Sequence, residues 1–341
     1  MNRVLTVVRS GPGISIQDLG RPGYLTYGLS RGGAADRLAL AEGAALLGQS
    51  SDLAAIEMVG MGGVFEAQSD VRIALTGAPM RATLNGEKLV WNACHAVPAG
   101  GQISIGAADA GVYGYLSVGG GIDTPKQLGA RSTHFAAGLG GALEAGTALP
   151  LGPDSRSDVN LHLKPEPRFS GGTIRAVPSL QTHLFEADEI ERFQNTVFQR
   201  DARGNRMGVR LVPDGEGFHT SEGLSILSEV IVSGDIQITG DGTPFVLLSE
   251  CQTTGGYPRI GSVLPADMPR MVQTPVGADL KIRFVPLEEA VEIERREAKS
   301  RSAYLKSAEP LVRNPHEIKD LLSYNLVGGV VDGTVEGLPE V

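Results

Sequence analysis

Three short segments concentrate hydrogen-bonding side chains among glycines and prolines. They are Gln17-Asp18-Leu19-Gly20-Arg21-Pro22-Gly23-Tyr24, Asn205-Arg206-Met207-Gly208-Val209-Arg210-Leu211, and Gln252-Thr253-Thr254-Gly255-Gly256-Tyr257-Pro258-Arg259-Ile260-Gly261. Glycine lets the backbone present its N–H groups at close range, and Arg, Gln and Thr add donors of different reach. Such a set suits an anionic or amide-bearing small molecule. One such segment alone reads as an ordinary turn whose charges cap strands. Three in one chain point to a site, expected between the halves of the molecule.

Other chemistries find little support. The histidines, His95, His134, His162, His183, His219 and His316, form no pair at ligand spacing and have no nearby cysteine, so no bound metal is expected. Gly28-Leu29-Ser30-Arg31-Gly32 matches G-x-S-x-G in form, but the preceding residues do not resemble the strand that a nucleophile elbow requires. Gly119-Gly120-Gly121 follows a strand pattern without opening a helix, and no phosphate-loop or biotin-attachment sequence occurs.

These segments must be held by a mostly β framework. The chain has 341 residues, of which 46 are Gly and 20 Pro, a punctuation suited to short strands and tight turns rather than a helical bundle. From about Ile56 to Val118 turn residues recur every 8–12 residues, the spacing of a barrel or sandwich. Helices are expected at Ala34–Leu47, Asp188–Phe198 and Leu287–Lys306, the last charged all round. A polar stretch over 153–172 reads as a linker. The expected units are therefore a β-rich domain at 1–165, a β-barrel at 172–286, and a charged helix with a docking tail at 287–341. With 30 Lys+Arg against 39 Asp+Glu, the net charge of −9 makes nucleic acid an unsuited partner. No apolar run suits a membrane span or a signal-peptide core, and two cysteines cannot form a disulfide framework. A cytoplasmic protein is expected.

The three segments, together with GGAADRLAL, AAIEM, IALTGAPM, LSEVIVSGDIQI, DGTPFVLL and NLVGGVVDG, resemble one family nearly end to end. It is the family of allophanate hydrolase subunit 2, or the 5-oxoprolinase C-subunit. The carboxyltransferase region of urea carboxylase and the antagonist of a sporulation-kinase inhibitor are similar too. The resemblance implies two tandem, cyclophilin-like β-barrels working beside a smaller paralogous subunit. It implies either a biotin-dependent carboxyltransferase served by carboxybiotin on a partner, or an ATP-dependent 5-oxoprolinase that needs a third subunit. The first would act on a urea-like substrate, and the second would convert 5-oxoproline to glutamate. A regulator of the smaller subunit, without chemistry of its own, is the alternative. Gln17, Asp18, Arg21, Gln252, Tyr257 and Arg259 would be catalytic by this resemblance. Asp36, Glu57, Asn205, Arg206, Arg210, Gln237 and Thr253 would bind substrate. Departures from the family pattern are Ala44 and Gln49 for two Asn, Glu250-Cys251 for Asp-Arg, Thr239-Gly240 for Pro-Pro and Gly141-Ala142 for Gly-Arg.

Overall fold

The computed structural model describes residues 3–221 and 223–311. The expected docking tail, with its apolar stretch from Leu321 to Val335, and His316 lie outside the described residues.

Strands dominate, as the glycine-punctuated pattern predicts, and they form two units. In the N-terminal unit, one sheet runs Ala148–Pro150, Val4–Arg9, Val64–Ala67, Gln102–Ala108, Met80–Leu84, Glu87–Leu89. The other runs Ser15–Gln17, Ala55–Val59, Tyr113–Val118, Val71–Gly77, Ala93–Val97, Leu161–His162, Glu309–Pro310. Alternate residues of both sheets, among them Leu5, Val7, Phe65, Ile56, Ile73 and Leu116, meet in one buried core. The C-terminal unit is a closed seven-stranded barrel of Gly172–Val177, Arg259–Val263, Asp235–Ile238, Pro244–Leu247, Gly208–Pro213, Phe198–Arg200 and Asp279–Phe284. It closes through a parallel pairing that sets Ile174 opposite Ile282.

Helix α1 (Arg37–Leu47) lies on the Val71–Gly77 and Tyr113–Val118 strands. Its start is fixed by Asp36, whose carboxylate accepts from the Leu38 and Ala39 N–H groups at 3.1 Å each. Gly48 ends it in the left-handed conformation at φ 62°. Helix α2 (Ala187–Asn195) is shorter than expected, because Phe198 opens a barrel strand and joins Phe193 and Phe218 in the barrel core. Helix α3 (Met268–Gln273) was not legible: it is under two turns long, too short for a periodic pattern, and has Pro269 in its first turn. Helix α4 (Leu287–Leu305) is largely exposed, with Ala290 and Ile293 buried against the barrel.

The stretch expected as a linker is instead strapped down. Asp154 holds Arg72 through two bonds of 2.9 and 2.7 Å. Further on, the buried Arg168 meets Asp36 at 3.0 Å and grips Glu42 at 2.8 and 2.7 Å. The two units also share a hydrophobic core, in which Ala39, Leu40 and Tyr115 pack with Ile174, Val209 and Met271. They are one body, and the seam between them positions the site.

Candidate functional site

Charge is paired across the seam with few exceptions. Arg206, from the loop before the Gly208–Pro213 strand, bonds the Glu57 carboxylate of the N-terminal unit and meets Glu250 Oε1 at 2.5 Å. Its remaining donors reach the Gly33 carbonyl and the Ser249 hydroxyl. Burial works against the Arg206 charge, but Glu57 and Glu250 outweigh it and hold the guanidinium above its ordinary value. Glu57 also accepts from Tyr115 Oη at 2.6 Å and from the Ala35 N–H at 2.8 Å. Burial first, and Glu57 next, push the Tyr115 phenol well up, so it stays a donor. Asp36 ties the same seam: besides capping α1 and meeting Arg168, it accepts from Gln273 Nε2 of α3 at 2.8 Å. Asp36, Glu57 and Arg206 therefore come together as a fully bonded clamp.

A second group anchors two loops. The Arg21 N–H donates to the Arg31 carbonyl at 2.7 Å, and the Ala34 N–H to the Asp18 carbonyl at 2.8 Å. Such close backbone contact needs glycine: a Cβ on Gly33 (φ +81°) would stand 2.6 Å from the Gly20 nitrogen. The Asp18 carboxylate accepts from the Gly20 and Arg131 N–H groups. Gln17 is buried and donates to Ser15 and to the Thr133 carbonyl. The Arg21 guanidinium is spent on Gln127 and Ser132.

The third group lies on the barrel. Asn205 caps its own turn at the Met207 N–H, and Arg210 meets Asp241 and Thr243. Arg259 is bound by Gln181, Glu229 and Asp235. Gln237 is buried beneath the segment that holds the half-buried Thr253 and the exposed Gln252 and Tyr257. The thirteen residues that the resemblance singles out thus occupy three places, and Arg21 is the one of them that faces the cavity described next.

That cavity, of about 690 Å³, opens along the seam between the units. Its walls come from Leu29 to Leu38 on one side and from Ile231, Cys251, Val263, Met268 and Val272 on the other. Among the described residues no acidic side chain lines it, but four guanidinium-bearing residues do: Arg21, Arg31, Arg37 and Arg301. Among the described residues none of these four has a carboxylate within salt-bridge distance, whereas Arg72, Arg168, Arg175, Arg206 and Arg259 each do. Arg37 is the first residue of α1, where the helix's own positive end repels it. Arg37 is exposed in this chain, but desolvation by the neighbouring walls, with Arg31 adding repulsion, lowers its guanidinium to about 10, so it remains charged at neutral pH. Arg31 and Arg301 each give one donor to a backbone carbonyl, but with Arg37 they are three like charges without a carboxylate beside apolar walls, a local conflict of the kind that functional sites retain. The arrangement suits an organic anion with an apolar body.

Sequence reading missed Arg31, Arg37 and Arg301, although Arg31 and Arg37 sit within or beside the GGAADRLAL segment. It also missed Glu250 as the clamp's second carboxylate, and Gln273. Two departures from the family pattern find physical accounts. Gln49 staples the glycine turn, donating to the Val118 carbonyl and accepting from the Gly120 N–H. Cys251 faces the cavity as a neutral thiol, pushed up to about 12 by burial.

Ser30 also lines the cavity, with its hydroxyl 2.9 Å from His134 Nε2. His134 Nδ1, however, accepts from the Ala137 N–H at 3.2 Å, which puts the ring proton on Nε2. His134 is then a donor to Ser30 and not its base, in line with the absence of an elbow strand: the motif follows a 3₁₀ turn (Leu25–Tyr27).

Residues 27–286 match the model of a family described as carboxyltransferase domain, subdomain A and B. The chain is 33% identical to the 5-oxoprolinase C-subunit of Escherichia coli K12, over 84% of this chain and 93% of that protein. It is 27% identical to the urea amidolyase of Saccharomyces cerevisiae over 83% of this chain, but spans only 16% of that protein. The crystal structure of the Kluyveromyces lactis urea carboxylase superposes with a TM-score of 0.78 at 25% identity, covering 92% of this chain and 31% of that one.

Proposed function

Because this chain belongs to the family of carboxyltransferase domains with subdomains A and B, we propose that it is one subunit of an ATP-dependent assembly that opens 5-oxoproline to glutamate. The observation that carries this reading is the cavity whose guanidinium groups lack acidic partners. 5-Oxoproline is a carboxylate, whereas urea is neutral and gives such a cavity nothing to bind. Arg31 and Arg37 would hold the substrate carboxylate, and the apolar wall of Leu38, Met268 and Val272 would take the ring. Near-complete coverage of a 5-oxoprolinase C-subunit, against a small share of the urea enzymes, supports the same choice.

The nucleotide step is assigned to a partner subunit. A magnesium-bound triphosphate needs oxygen ligands for its cation, and among the described residues the cavity wall has no carboxylate. Carboxybiotin on a partner is the competing co-reactant, tested by the same assay. The smaller paralogous subunit is assigned to the exposed apolar ridge of Leu227, Val230 and Val232, which enters the cavity wall at Ile231. With the clamp saturated, and Gln17 Oε1 the side-chain acceptor of the loop anchor left buried without a partner among the described residues, this chain's part is to bind, orient and exclude water.

The test combines this chain with its two neighbouring subunits and follows ATP-dependent glutamate release. Arg31→Met and Arg37→Met should each reduce kcat/KM by about 10–100-fold, the worth of a charge-assisted hydrogen bond. No release from an intact assembly, or full activity in both variants, overturns the reading.

A further inference from the structure

The cavity is larger, and more positive, than one small carboxylate requires. Arg21 is saturated by Gln127 and Ser132, which leaves Arg31, Arg37 and Arg301 for a ligand. Arg31 and Arg37 come from the loop and first turn at the start of α1 and repel one another. Arg301 comes from another element altogether, α4, which lies beyond residue 286, where the family match ends. That helix is anchored at its middle and at its C-terminal end. Glu294 accepts from the Ala266 N–H at 2.8 Å beside the buried Ile293, and Tyr304 Oη donates to Glu42 at 3.0 Å. Around the second anchor Arg301 and Leu305 form part of the cavity wall. One Arg301 donor reaches the Ala266 carbonyl, while its Nε–H is buried with no partner among the described residues. Nη1 makes no hydrogen bond among the described residues, so its donors remain for a ligand oxygen.

We propose that α4 makes the cavity a two-ended anion site. Arg31 and Arg37 take a carboxylate, and Arg301 takes a second oxygen centre, across an apolar segment, that carries or develops negative charge. The inference rests on the cavity being the substrate site. In a lactam carboxylate the second centre is the ring carbonyl oxygen. That oxygen is the negative end of the amide dipole, and a guanidinium beside it stabilises the charge drawn onto it when the partner's nucleotide step activates the ring. Arg301 is then the residue that distinguishes ligands with a second anionic oxygen from those without one, and it is supplied by a part of the chain that the family match does not cover.

Titration calorimetry on the full chain tests this, with straight-chain dicarboxylates of five to eight carbons and the monocarboxylates of the same lengths as probes. The best dicarboxylate should bind at least ten-fold more tightly than its monocarboxylate. Arg301→Met should bring that ratio close to one without weakening the monocarboxylate. Arg301→Lys should restore part of the ratio, which guards against a misfolded variant. Arg37→Met should weaken both classes. A ratio near one in the wild type, or a ratio unmoved by Arg301→Met, overturns the proposal. If neither class binds while the reconstituted assembly still releases glutamate, the two-ended site falls and the assigned reaction stands. If dicarboxylates bind through Arg301 but no assembly turns over, the reverse holds.

Discussion

Arg206→Met should destabilise the protein without abolishing ligand binding, because Arg206 serves the seam and not the cavity. The substitution keeps the side chain's length and removes its charge. It leaves Glu57 with the Tyr115 hydroxyl and the Ala35 N–H, and Glu250 with the Ala136 N–H and the His134 ring 3.7 Å away. Both carboxylates are buried, so two negative charges would face each other without a counter-ion. Breaking a buried ion pair on one side costs about 3–5 kcal/mol, most of it the desolvated charge left behind. Urea denaturation followed by fluorescence and far-UV circular dichroism measures the loss. The triple variant Glu57→Gln/Glu250→Gln/Arg206→Met removes the orphaned charges as well, and should recover at least half of the lost stability. A single variant that loses less than about 1 kcal/mol would refute the clamp. So would unchanged stability together with lost binding of a carboxylate probe, which would make Arg206 a ligand residue.

Arg37→Gln should show the opposite signature. Removing a like charge from the start of α1 should raise stability by about 0.3–1 kcal/mol, seen in the same denaturation curves, while carboxylate binding is lost. A pH series addresses His134. Burial, only partly opposed by Glu250, holds its folded-state pKa below the ordinary 6.5. The unfolded chain therefore binds the proton first, and stability should fall as pH drops below about 6.5, by at most about 1.4 kcal/mol per pH unit for this group. His134→Gln should flatten that slope; an unchanged slope would show that the ring is not held neutral. His95, also lowered by burial, adds to the wild-type slope and stays in the variant.

Much of this fold was legible, because short strands and their turns announce themselves through glycine spacing and alternation. The Val71–Gly77 and Tyr113–Val118 strands were read from single segments. The helix α1 was read from its alanine and leucine content, with Asp36 as the true start. The Leu161–His162 and Glu309–Pro310 pairing was not legible, since two-residue strands leave no periodic trace and their register comes from tertiary contact. The site was harder. Donor-rich turns drew the eye to Arg206, Arg210 and Arg259, and there the structure places bound ion pairs. What distinguishes Arg37 from them is the lack of a partner, a property of the folded neighbourhood that composition and spacing do not carry. Arg301 is harder still, because it reaches the cavity only after α4 has crossed from the barrel to Glu42.

The clamp also bears on how the chain is made. Asp36, Glu42 and Glu57 all belong to the N-terminal unit, while Arg168 and Arg206 emerge from the ribosome only after it. Until they arrive, the surface that will become the seam carries three acidic groups and stays hydrated instead of sticking to other nascent chains. The barrel then brings the matching guanidinium, drawn to a face of opposite sign before any apolar contact forms. The same ion pairs that lock the finished seam thus keep its two faces apart from wrong partners, and steer them to each other, while synthesis is still under way.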